Sequence, residues 1–354
     1  MEKINKSTRY IIGLWLNRKD WKSLCKVSKK WCKIFYDNEF WLYKLRTRYG
    51  IYNIENVKNY KLECEILEKT GKLFYKLIGH FGHVKPVHPE LYTYFDDEII
   101  HHTHKKYIGE KVRDFIVCST QIEYVDENFK NFVYSISKDK SWFSKKNVKK
   151  LHYFNIFSTK NDKLYYNVLG VGHSLLFNKP RHVSYNNLNI YITSSDGCVY
   201  SDVMITTKLP ENLDPHDTKN YTEYFIIAKN VNKFISNYSE KYIIDVDDYL
   251  YIEKNGYFMK IDKIKSVDNN SHFLYYVDEN NNLYFLDLHT LDREPKFLHS
   301  NVKFISCSAE FYVFINNINE LWYSNCNNKY KFKLSNNVKK AKCAANVVAF
   351  TEYY

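Results

Sequence analysis

From about residue 71 onward, apolar and polar residues alternate along most of the chain, and the alternation recurs within a longer frame. Two stretches show that frame well: DFIVCSTQIEYVDENFKNFVYS, which starts at Asp114, and KFISCSAEFYVFINNINELWYS, which starts at Lys303. Both contain Phe-Ile-x-Cys-Ser, alternating apolar residues, an Asn-containing turn and a final Tyr-Ser. Because alternation with period two is typical of half-buried strands, the pattern predicts short antiparallel strands joined by tight turns.

The frame occurs seven times, with most copies 32 to 38 residues apart and one interval of 52 that contains a polar insertion at about 206–222. Each copy has a first apolar position, and six copies have a second about 16 residues later. The first positions are Ile116, Leu151, Val183, Ile235, Val267, Ile305 and Ala341, and the second positions are Phe132, Leu164, Val199, Tyr251, Leu283 and Leu321. A sequence repeat of this length is typical of folds built from repeated structural units, and we predict that each unit here is a β-meander.

The last copy, which begins at Ala341, lacks a second half, and an unpaired second half occurs near the other end of the chain. GKLFYKL, from Gly71 to Leu77, matches the second halves of the other copies, with Leu73 at the apolar position. We therefore predict that residues 71–354 form a seven-bladed β-propeller in which both ends of the region complete one blade. Such closure removes the exposed sheet edges that favour aggregation. An open sandwich of irregular strands is the alternative.

Between Ser7 and Gly50 the apolar residues are instead three and four positions apart, which predicts amphipathic helices. Trp21, Leu24, Val27, Trp31 and Phe35 indicate one helix with Asp20 as its N-cap. A short helix over residues 11–16 precedes it, and another follows Asp37-Asn38. We expect residues 1–50 to form a small helical domain and residues 51–70 to form a helical linker.

The order of residues in this segment resembles the F-box family. The carrying residues are Asp20-Trp21-x-x-Leu24-x-x-Val27-Ser28-Lys29-Lys30-Trp31, followed by Asp37-Asn38-Glu39-Phe40-Trp41-x-x-x-Leu45. The leading Leu-Pro of the family is replaced by Tyr10-Ile11-Ile12. The resemblance implies docking on the Skp-type adaptor of a cullin–RING ubiquitin ligase. The adaptor face that it implies is Ile11, Ile12, Leu14, Trp15, Leu16, Leu24 and Val27, and the F-box core is Trp31, Phe35 and Trp41. Packing within the domain is the alternative role for each adaptor-face residue.

The repeats resemble those of the regulator-of-chromosome-condensation (RCC-type) family. NKPRHVSYNNLNIYITSSDGCVYS, from Asn178 to Ser201, has Pro180, Val183, Asp196-Gly197 and Tyr200 in the family order. Most of the family's glycines are missing, and we expect Asn to replace them at turns that need a positive φ. An F-box paired with a degenerate RCC-type propeller also resembles proteins encoded by large DNA viruses of amoebae.

Together these resemblances imply a fold that is mainly β, with an RCC-type propeller after an all-α F-box-like domain. They imply a substrate-recruiting, non-catalytic subunit of a cullin–RING ligase whose propeller binds a client protein. The expected partners are the Skp-type adaptor, the cullin and that client. Alternatives are a propeller that binds chromatin or a small GTPase, and a scaffold in which the helices only cap the propeller.

Positive charge is concentrated in the helical segment. Of the net charge of +12, residues 1–50 contribute +9, since they contain 13 Lys/Arg and 4 Asp/Glu (13 − 4 = 9). A basic segment favours an acidic partner, and the Skp-type adaptor family is acidic. An alternative is nucleic acid bound along Lys22, Lys26, Lys29, Lys30 and Lys33, although charges on an amphipathic helix commonly face only solvent.

The sequence offers little support for catalysis, metal or cofactors. It has no Gly-x-Ser-x-Gly, His-Glu-x-x-His or phosphate-loop motif. His80, His83, His88, His101, His102 and His104 are clustered, and Cys64 could join His80 and His83 in a zinc site, yet we expect these to be loop histidines. Asp245, Asp247 and Asp248 could bind a cation but lie at a predicted hairpin turn.

The eight cysteines lack the paired spacing of a disulfide framework. Cys118, Cys307 and Cys343 fall at one place of the repeat, where we expect small inward-facing side chains. The N-terminal sequence lacks an apolar signal core, and no run approaches the length of a membrane span. We therefore expect the cytoplasm, of a host cell if the protein is viral, with the nucleus as the alternative compartment.

Overall fold

The computed structural model describes five helices and twenty-nine strands. The residues described are 6–16, 18–49, 51–52, 54, 57, 59–82, 92–95, 98–102, 104–153, 156–168, 172–185, 190–202, 224–236, 241–254, 257–270, 272–289, 294–326 and 331–354. The helices are α1 (Lys6–Trp15), α2 (Arg18–Val27), α3 (Lys29–Phe35), α4 (Asn38–Tyr49) and α5 (Tyr60–Lys69). None of the described helices is long and apolar enough to cross a membrane.

The strands follow the helices in chain order. They are β1 (Gly71–Gly82), β2 (Tyr92–Phe95), β3 (Glu98–His102), β4 (Lys106–Val112), β5 (Asp114–Val117), β6 (Gln121–Val125), β7 (Asn131–Ser135), β8 (Lys140–Lys145), β9 (Val148–Tyr153), β10 (Ile156–Thr159), β11 (Lys163–Val168), β12 (Gly172–Asn178), β13 (Pro180–Tyr185), β14 (Ile190–Ser194), β15 (Val199–Asp202), β16 (Tyr224–Ala228), β17 (Val231–Ser236), β18 (Lys241–Asp245), β19 (Tyr249–Lys254), β20 (Tyr257–Asn269), β21 (Phe273–Asp278), β22 (Leu283–Asp287), β23 (Lys296–His299), β24 (Val302–Cys307), β25 (Phe311–Asn316), β26 (Leu321–Asn325), β27 (Lys331–Ser335), β28 (Val338–Ala344) and β29 (Val347–Glu352).

Antiparallel pairing organises these strands into groups of four. Separate sheets contain β5–β8, β9–β12, β13–β16 and β24–β27, each joined in sequence order. Strands β17–β23 form a seven-stranded sheet, in which the long β20 pairs with β19 through its first half and with β21 through its second half. The expected mainly-β architecture is therefore present, with a meander in each repeat.

The sheet that contains the two ends of the strand region combines β28, β29, β1 and β4. Strands β1 and β29 are antiparallel and pair from Lys72 with Glu352 to Leu77 with Val347. The C-terminal half of β1 also pairs with β3, and β3 pairs with β2. The half-repeat at Gly71–Leu77 thus lies beside the C-terminal half-repeat in one sheet.

The first strand of every group faces a shared cavity. Strands β5, β9, β13, β17, β20, β24 and β28 all contribute to its lining, and its volume is about 750 Å³. We call this space the central cavity. The groups are therefore arranged around a common axis, with their outer strands β4, β8, β12, β16, β23 and β27 furthest from it.

Successive groups are joined by a recurring hydrogen bond, in which a backbone N–H near the start of the next inner segment donates to a turn carbonyl. The carbonyl belongs to a turn residue with positive φ between the second and third strands of a group, and distances are 2.6–3.0 Å. The carbonyl and amide pairs are Phe129–Val148, Asp162–Lys179, Gly197–Val231, Asp248–Ile264, Asn281–Val302 and Asn319–Val338. At β13 the donor is Lys179 because Pro180 has no N–H.

Asn and Asp occupy most of these turns, as the missing glycines led us to expect. Asn281 and Asn319 have φ of 66° and 67°, where a short polar side chain is tolerated better than most others. At four of the six turns, an Asp or Asn three residues before the positive-φ residue also stabilises the turn. Asp278 Oδ1, for example, accepts from the backbone N–H groups of Asn280 and Asn282 at 2.9 and 2.7 Å.

The repeat at β17 is one residue out of register with the sequence alignment. Strands β17 and β24 each have an irregularity in their pairing with the next strand. Phe234 is the second residue paired after it in β17 and Ile305 is the second in β24, so the two positions are equivalent. Ile235 is therefore not the first position, and the second position moves from Tyr251 to Leu250. Phe234 and Ile235 are both buried apolar residues, so the sequence pattern alone could not separate them.

The repeat at β5 is displaced in the same direction. Phe115 takes the place predicted for Ile116, and Asn131 takes the place predicted for Phe132. Asn131 is fully buried, and its side-chain amide donates to a backbone carbonyl of β6 at 3.2 Å. A polar residue at a position that is apolar in other repeats concealed the correct frame.

The predicted equivalence of three cysteines fails for Cys118. Cys307 and Cys343 lie in β24 and β28 and border the central cavity. Cys118 follows the end of β5, with its thiol 3.8 Å from the Thr120 hydroxyl. All eight cysteines are free thiols.

The helix predicted from Asp20 to Phe35 is two helices. Helix α2 ends at Val27, Ser28 is extended with φ −151° and ψ 118°, and α3 begins at Lys29. Asp20 lies in the first turn of α2 and is not its N-cap. The break turns the second half of the apolar stripe back towards the first, which allows one small core to form.

The backbone conformation at the turn of β25 and β26 gives a first prediction. Replacing Asn319 by Ala should destabilise the chain by about 1 kcal/mol relative to Asn319→Gly, because Ala is strained at positive φ. Both variants remove the amide that binds Lys303, so their difference isolates the backbone term. Urea unfolding of the full chain measures it. Asn317→Ala, in the same turn at ordinary φ, is the control, and equal stabilities of the Gly and Ala variants would contradict the interpretation.

Candidate functional site on the helical module

The five helices form one module around an aromatic core. Trp21 is fully buried and meets Trp31 and Phe40 edge-on, with ring centroids 5.7 and 5.1 Å apart. Trp31, Phe35 and Trp41 are buried in the same cluster. Trp41 donates its indole N–H to the Phe35 carbonyl at 2.8 Å, which ties α3 to α4. The three residues assigned to the F-box core thus lie in this core, and Trp21 lies at its centre.

Helix α1 crosses the core at Gly13. A Cβ at this position would lie 2.6 Å from Trp21 Cζ2 and 3.0 Å from the Phe40 ring. The absence of a side chain therefore lets the α1 backbone rest directly on two buried rings. This contact fixes which residues of α1 face inward and which face solvent.

A buried lysine links three helical segments. Lys44 Nζ donates to the Leu16 carbonyl at 3.0 Å and to Glu68 Oε1 at 2.7 Å, and it lies 5.3 Å from the centre of the Trp41 ring. Burial lowers the pKa of Lys44, while the Glu68 carboxylate opposes that shift. The end of α1 is thereby held to α4 and α5 by an ion pair.

Helix α5 belongs to the helical core, although it lies in the segment that we expected to be a linker. Cys64 and Leu67 are buried in the aromatic cluster, and the Cys64 thiol is 3.6 Å from the Trp41 carbonyl. The side chain of Asn59 caps the helix by accepting from the Leu62 N–H at 3.0 Å. A core made of residues 6–49 alone would leave these contacts open.

The helical module is attached to the sheet that joins the chain ends. Lys111 of β4 forms an ion pair with Glu63 of α5 at 2.7 Å. Lys339 of β28 donates to the Thr70 carbonyl at 2.9 Å and also to the Glu68 carbonyl. Burial lowers the pKa of Lys339 to about 8. Polar contacts from two strands therefore fix the helices on this sheet.

Four of the seven residues in the predicted adaptor face are exposed. Ile11, Ile12 and Trp15 in α1 are 54%, 38% and 73% exposed, and Val27 at the end of α2 is 71% exposed. Ile11 and Trp15 are one helical turn apart, so they lie on one side of α1. The Arg48 guanidinium lies 5.7 Å from the Trp15 ring centre. We call Ile11, Ile12 and Trp15 the α1 apolar surface.

The other three residues of the predicted face have structural contacts. Leu14 is buried, and Leu16 and Leu24 are partly buried against the aromatic core. The Leu14 carbonyl also accepts from Arg48 Nη1 at 2.6 Å. The alternative role that the sequence left open, packing within the domain, therefore applies to these three positions.

Five lysines of α2 and α3 face solvent. Lys22, Lys26, Lys29, Lys30 and Lys33 are all exposed. They surround the module with positive charge without entering its core. This arrangement is consistent with an acidic partner and with a simple solvated surface.

The aspartates singled out in the sequence have a structural role in a turn. Asp245 Oδ1 accepts from the backbone N–H groups of Asp247 and Tyr249, both at 2.9 Å, so its carboxylate stabilises the hairpin turn. No group of three His, Cys, Asp or Glu within the described residues could hold a metal ion. His83 and His88 lie outside those residues, as do the side chains of His80, His101 and His102.

Sequence reasoning missed Gly13, Lys44 and Glu68 as positioning residues of the module. Lys44 would be assigned to the solvent side of α4 by its charge, and its partner is 24 residues away. Gly13 interrupts an apolar run, IIGLWL, which is the one signal of a close helix contact that the sequence contained. Glu68 carries no such signal.

Comparison with solved structures shows what the strand region resembles. Prp20p from Saccharomyces cerevisiae matches 82% of this chain and 95% of its own length, at 10% identity and a TM-score of 0.52. Yeast RCC1 (Prp20) in its complex with Kap60 matches 81% and 91%, at 9% identity and a TM-score of 0.53. Human WBSCR16 matches 80% and 100%, at 8% identity and a TM-score of 0.55.

These similarities show the fold, which is that of RCC1-type β-propellers, and confirm the RCC-type architecture expected from the repeats. No protein-family model matches the sequence, and no curated protein sequence is similar to it.

The close packing at Gly13 can be tested by substitution. Gly13→Ala should destabilise the chain by about 1–3 kcal/mol, because the added methyl group overpacks a rigid aromatic core. Intrinsic helix propensity alone predicts the opposite sign, a gain of about 1 kcal/mol. Urea unfolding followed by Trp fluorescence measures the effect, and adding Trp21→Phe should recover part of the loss. A stabilised Gly13→Ala protein would show that α1 does not rest on Trp21.

Proposed function

We propose that this protein is the substrate-recruiting F-box subunit of a cullin–RING ubiquitin ligase. In this role it is not itself catalytic: the helical module binds the Skp-type adaptor, and the propeller binds a client protein. The observation that carries the proposal is the α1 apolar surface, where Ile11, Ile12 and Trp15 remain exposed although a large aromatic core lies directly beneath them.

The exposure of these three side chains contrasts with the burial of the module's other tryptophans. The module buries Trp21, Trp31, Phe40 and Trp41 in its core, yet leaves Trp15 in solvent. Clustered exposed apolar residues mark interaction surfaces, and Trp is enriched among residues that dominate binding energy. The exposed lysines of α2 and α3 would add favourable long-range attraction to an acidic adaptor.

Tyr10 replaces part of the family's Leu-Pro and has a structural role here. Its ring packs edge-on against Phe40 at 5.3 Å, and its hydroxyl donates to the Asp37 carboxylate. Asp37 Oδ1 also accepts from the Glu39 N–H at 2.9 Å, at the start of α4. These contacts support the start of α1 without the Leu-Pro, so the following Ile11 and Ile12 are available for the adaptor.

The proposal includes a seven-bladed propeller for residues 71–354, with β20 shared by two blades and the blade β28–β29–β1–β4 built from both ends. It also places α5 with residues 1–50 in the F-box-like domain, since α5 completes that domain's core. The attachment of α5 to β4 and β28 would present the client at a fixed orientation to the ligase.

A second candidate is a propeller that binds a small GTPase or chromatin without a ligase. It is favoured by the fold similarity to Prp20p, whose structure was described together with its binding to Gsp1p and histones. In this case the α1 apolar surface would have no part in binding. The two functions can therefore be separated by substitutions in α1.

Adaptor binding should depend on Trp15. We expect Trp15→Ala to weaken the affinity of the full chain for a purified Skp-type adaptor by about 30-fold or more, as for a dominant interface residue worth about 2 kcal/mol. Isothermal titration calorimetry measures the dissociation constant. The fold should be retained because Trp15 is largely outside the core. Point substitution is preferable to deletion of residues 1–50, which would uncover the buried Cys64 and Leu67.

Ile318→Ala provides the matched control. Ile318 is 72% exposed on a propeller turn, so its loss removes an exposed apolar side chain that is not part of the α1 apolar surface. Its affinity for the adaptor should equal that of the wild type. Absence of adaptor binding by the wild-type chain, or equal weakening in both variants, would refute the ligase proposal. Retained binding to a GTPase or to histones in the Trp15→Ala variant would then favour the second candidate.

A further inference from the structure

The inner strands place charged side chains at equivalent positions around the central cavity. One row lies immediately before the buried first position of each repeat and includes Lys150, His182, Lys233 and Lys340. A second row lies two residues further along each strand. It includes His152, Asp268 and Lys342. Basic groups from β9, β13, β17 and β28 thus converge on one space.

Three of these lysines have no direct partner. Among the described residues, the ammonium groups of Lys150, Lys233 and Lys342 form neither a hydrogen bond nor an ion pair. The electrostatic fields of these lysines nevertheless act on one another. Burial is the main cause that lowers the pKa of Lys233 and of Lys342, and the charge of Lys150 lowers both further. The three cations therefore share a partly desolvated space.

The acidic groups nearby do not neutralise this charge. Asp114 forms an ion pair with Lys340 and accepts from the Leu151 N–H at 2.9 Å. Asp268 Oδ2 accepts from the Cys307 N–H and the Ser306 hydroxyl at 3.0 and 3.1 Å. With Lys150, Lys233, Lys340 and Lys342 positive, the balance of these six groups is +2 (4 − 2).

Two imidazoles complete the lining. Burial lowers the pKa of His152 to about 3 and that of His182 well below its ordinary value, so both are neutral at pH 7. His182 Nδ1 is buried and has no hydrogen-bond partner.

We propose that the central cavity binds a phosphate monoester. At neutral pH such a group carries close to two negative charges and three oxygen acceptors, which suit the excess of basic groups in the lining and the unpartnered ammonium groups of Lys150, Lys233 and Lys342. A volume of about 750 Å³ is within the range of ligand pockets. The group could come from a small phosphorylated molecule or from a phosphorylated side chain, and the cavity chemistry is the same for both.

The site does not depend on the ligase proposal, since it uses only the propeller. The natural ligand is unidentified, so we choose two probes: inorganic phosphate, and a short peptide with one phosphoserine. Calorimetric titration of the full chain at pH 7.5 and constant ionic strength should show saturable binding of at least one probe. Binding of both indicates a general phosphate site, and much tighter binding of the peptide indicates a phosphorylated client. The unphosphorylated peptide should not bind.

Substitution of the unpartnered lysines should remove this binding. Lys233→Met and Lys342→Met remove the ammonium group while keeping an unbranched side chain, and each should weaken the affinity at least tenfold. Lys149→Met is the matched control, because Lys149 is next to Lys150 but exposed and paired with Asp162 outside the cavity. It should bind as the wild type does. Binding of neither probe, or equal losses in Lys149→Met and the cavity variants, would overturn the proposal.

The Lys342→Met variant should also show whether the Lys342 ammonium group destabilises the fold when no ligand is bound. The charged and titratable groups facing it are Lys340, Lys150, Asp114, Asp268 and His152, and burial dominates in lowering its pKa to about 8. The folded state then binds fewer protons than the unfolded state between pH 8 and the ordinary lysine value of 10.5, so stability rises with pH in this window.

In phosphate-free buffer, the melting temperature of Lys342→Met should exceed that of the wild type at pH 7.5, and the difference should shrink by pH 9.5. Phosphate should raise the melting temperature of the wild type only. A Lys342→Met protein that melts lower than the wild type at pH 7.5 would show that the ammonium group is already stabilised within the cavity, which contradicts an unpartnered site. Circular dichroism confirms that the variant is folded.

Discussion

The hydrogen bond that a backbone N–H of each inner segment donates to the turn carbonyl of the preceding group is the constraint on which the rest of the structure depends. It occurs six times, from Phe129–Val148 to Asn319–Val338, and each time it joins one group of strands to the next. The carbonyl points correctly only if the turn residue has positive φ, which explains why Asn, Asp and Gly are common there. Because the bond sets the position of each inner strand, it also determines which side chains meet in the central cavity.

The helical module is held against the propeller by several specific contacts. Gly13 brings α1 onto Trp21, and Lys44 links the end of α1 to Glu68 of α5. Lys111 and Lys339 then join α5 and the following residues to the propeller. The ammonium group of Lys44 is buried, and removing the partner of a buried charge usually destabilises a protein strongly. The α1 apolar surface therefore has a defined orientation relative to the propeller.

Much of the architecture could be read from the sequence because it follows from repetition. Period-two alternation and a recurring interval predicted the meanders, and the missing half of the last repeat pointed to Gly71–Leu77 as its complement. The alignment of the repeats was wrong where the apolar pattern allowed more than one register. Phe234 and Ile235 are both buried, and Asn131 occupies an apolar position, so the alignment slipped by one residue in both repeats.

The sites were harder to predict, for a related physical reason. Lys150, His182, Lys233 and Lys342 come from four strands, and each alone reads as an exposed polar residue of an alternating strand. Only the circular arrangement brings them together. In the module, the helical spacing identified the apolar residues of α1 but could not tell Leu14, which packs inward, from Trp15, which does not. That distinction depends on the crossing at Gly13, a tertiary contact.

The central functional claim is that the α1 apolar surface binds a Skp-type adaptor. Hydrogen–deuterium exchange of the full chain, with and without the purified adaptor, tests it most directly because it reports every backbone amide at once. The account predicts slower exchange in α1 and at the C-terminal end of α2, with strands β5–β29 unchanged. Protection confined to the propeller strands, or no change in α1 at saturating adaptor, would contradict it.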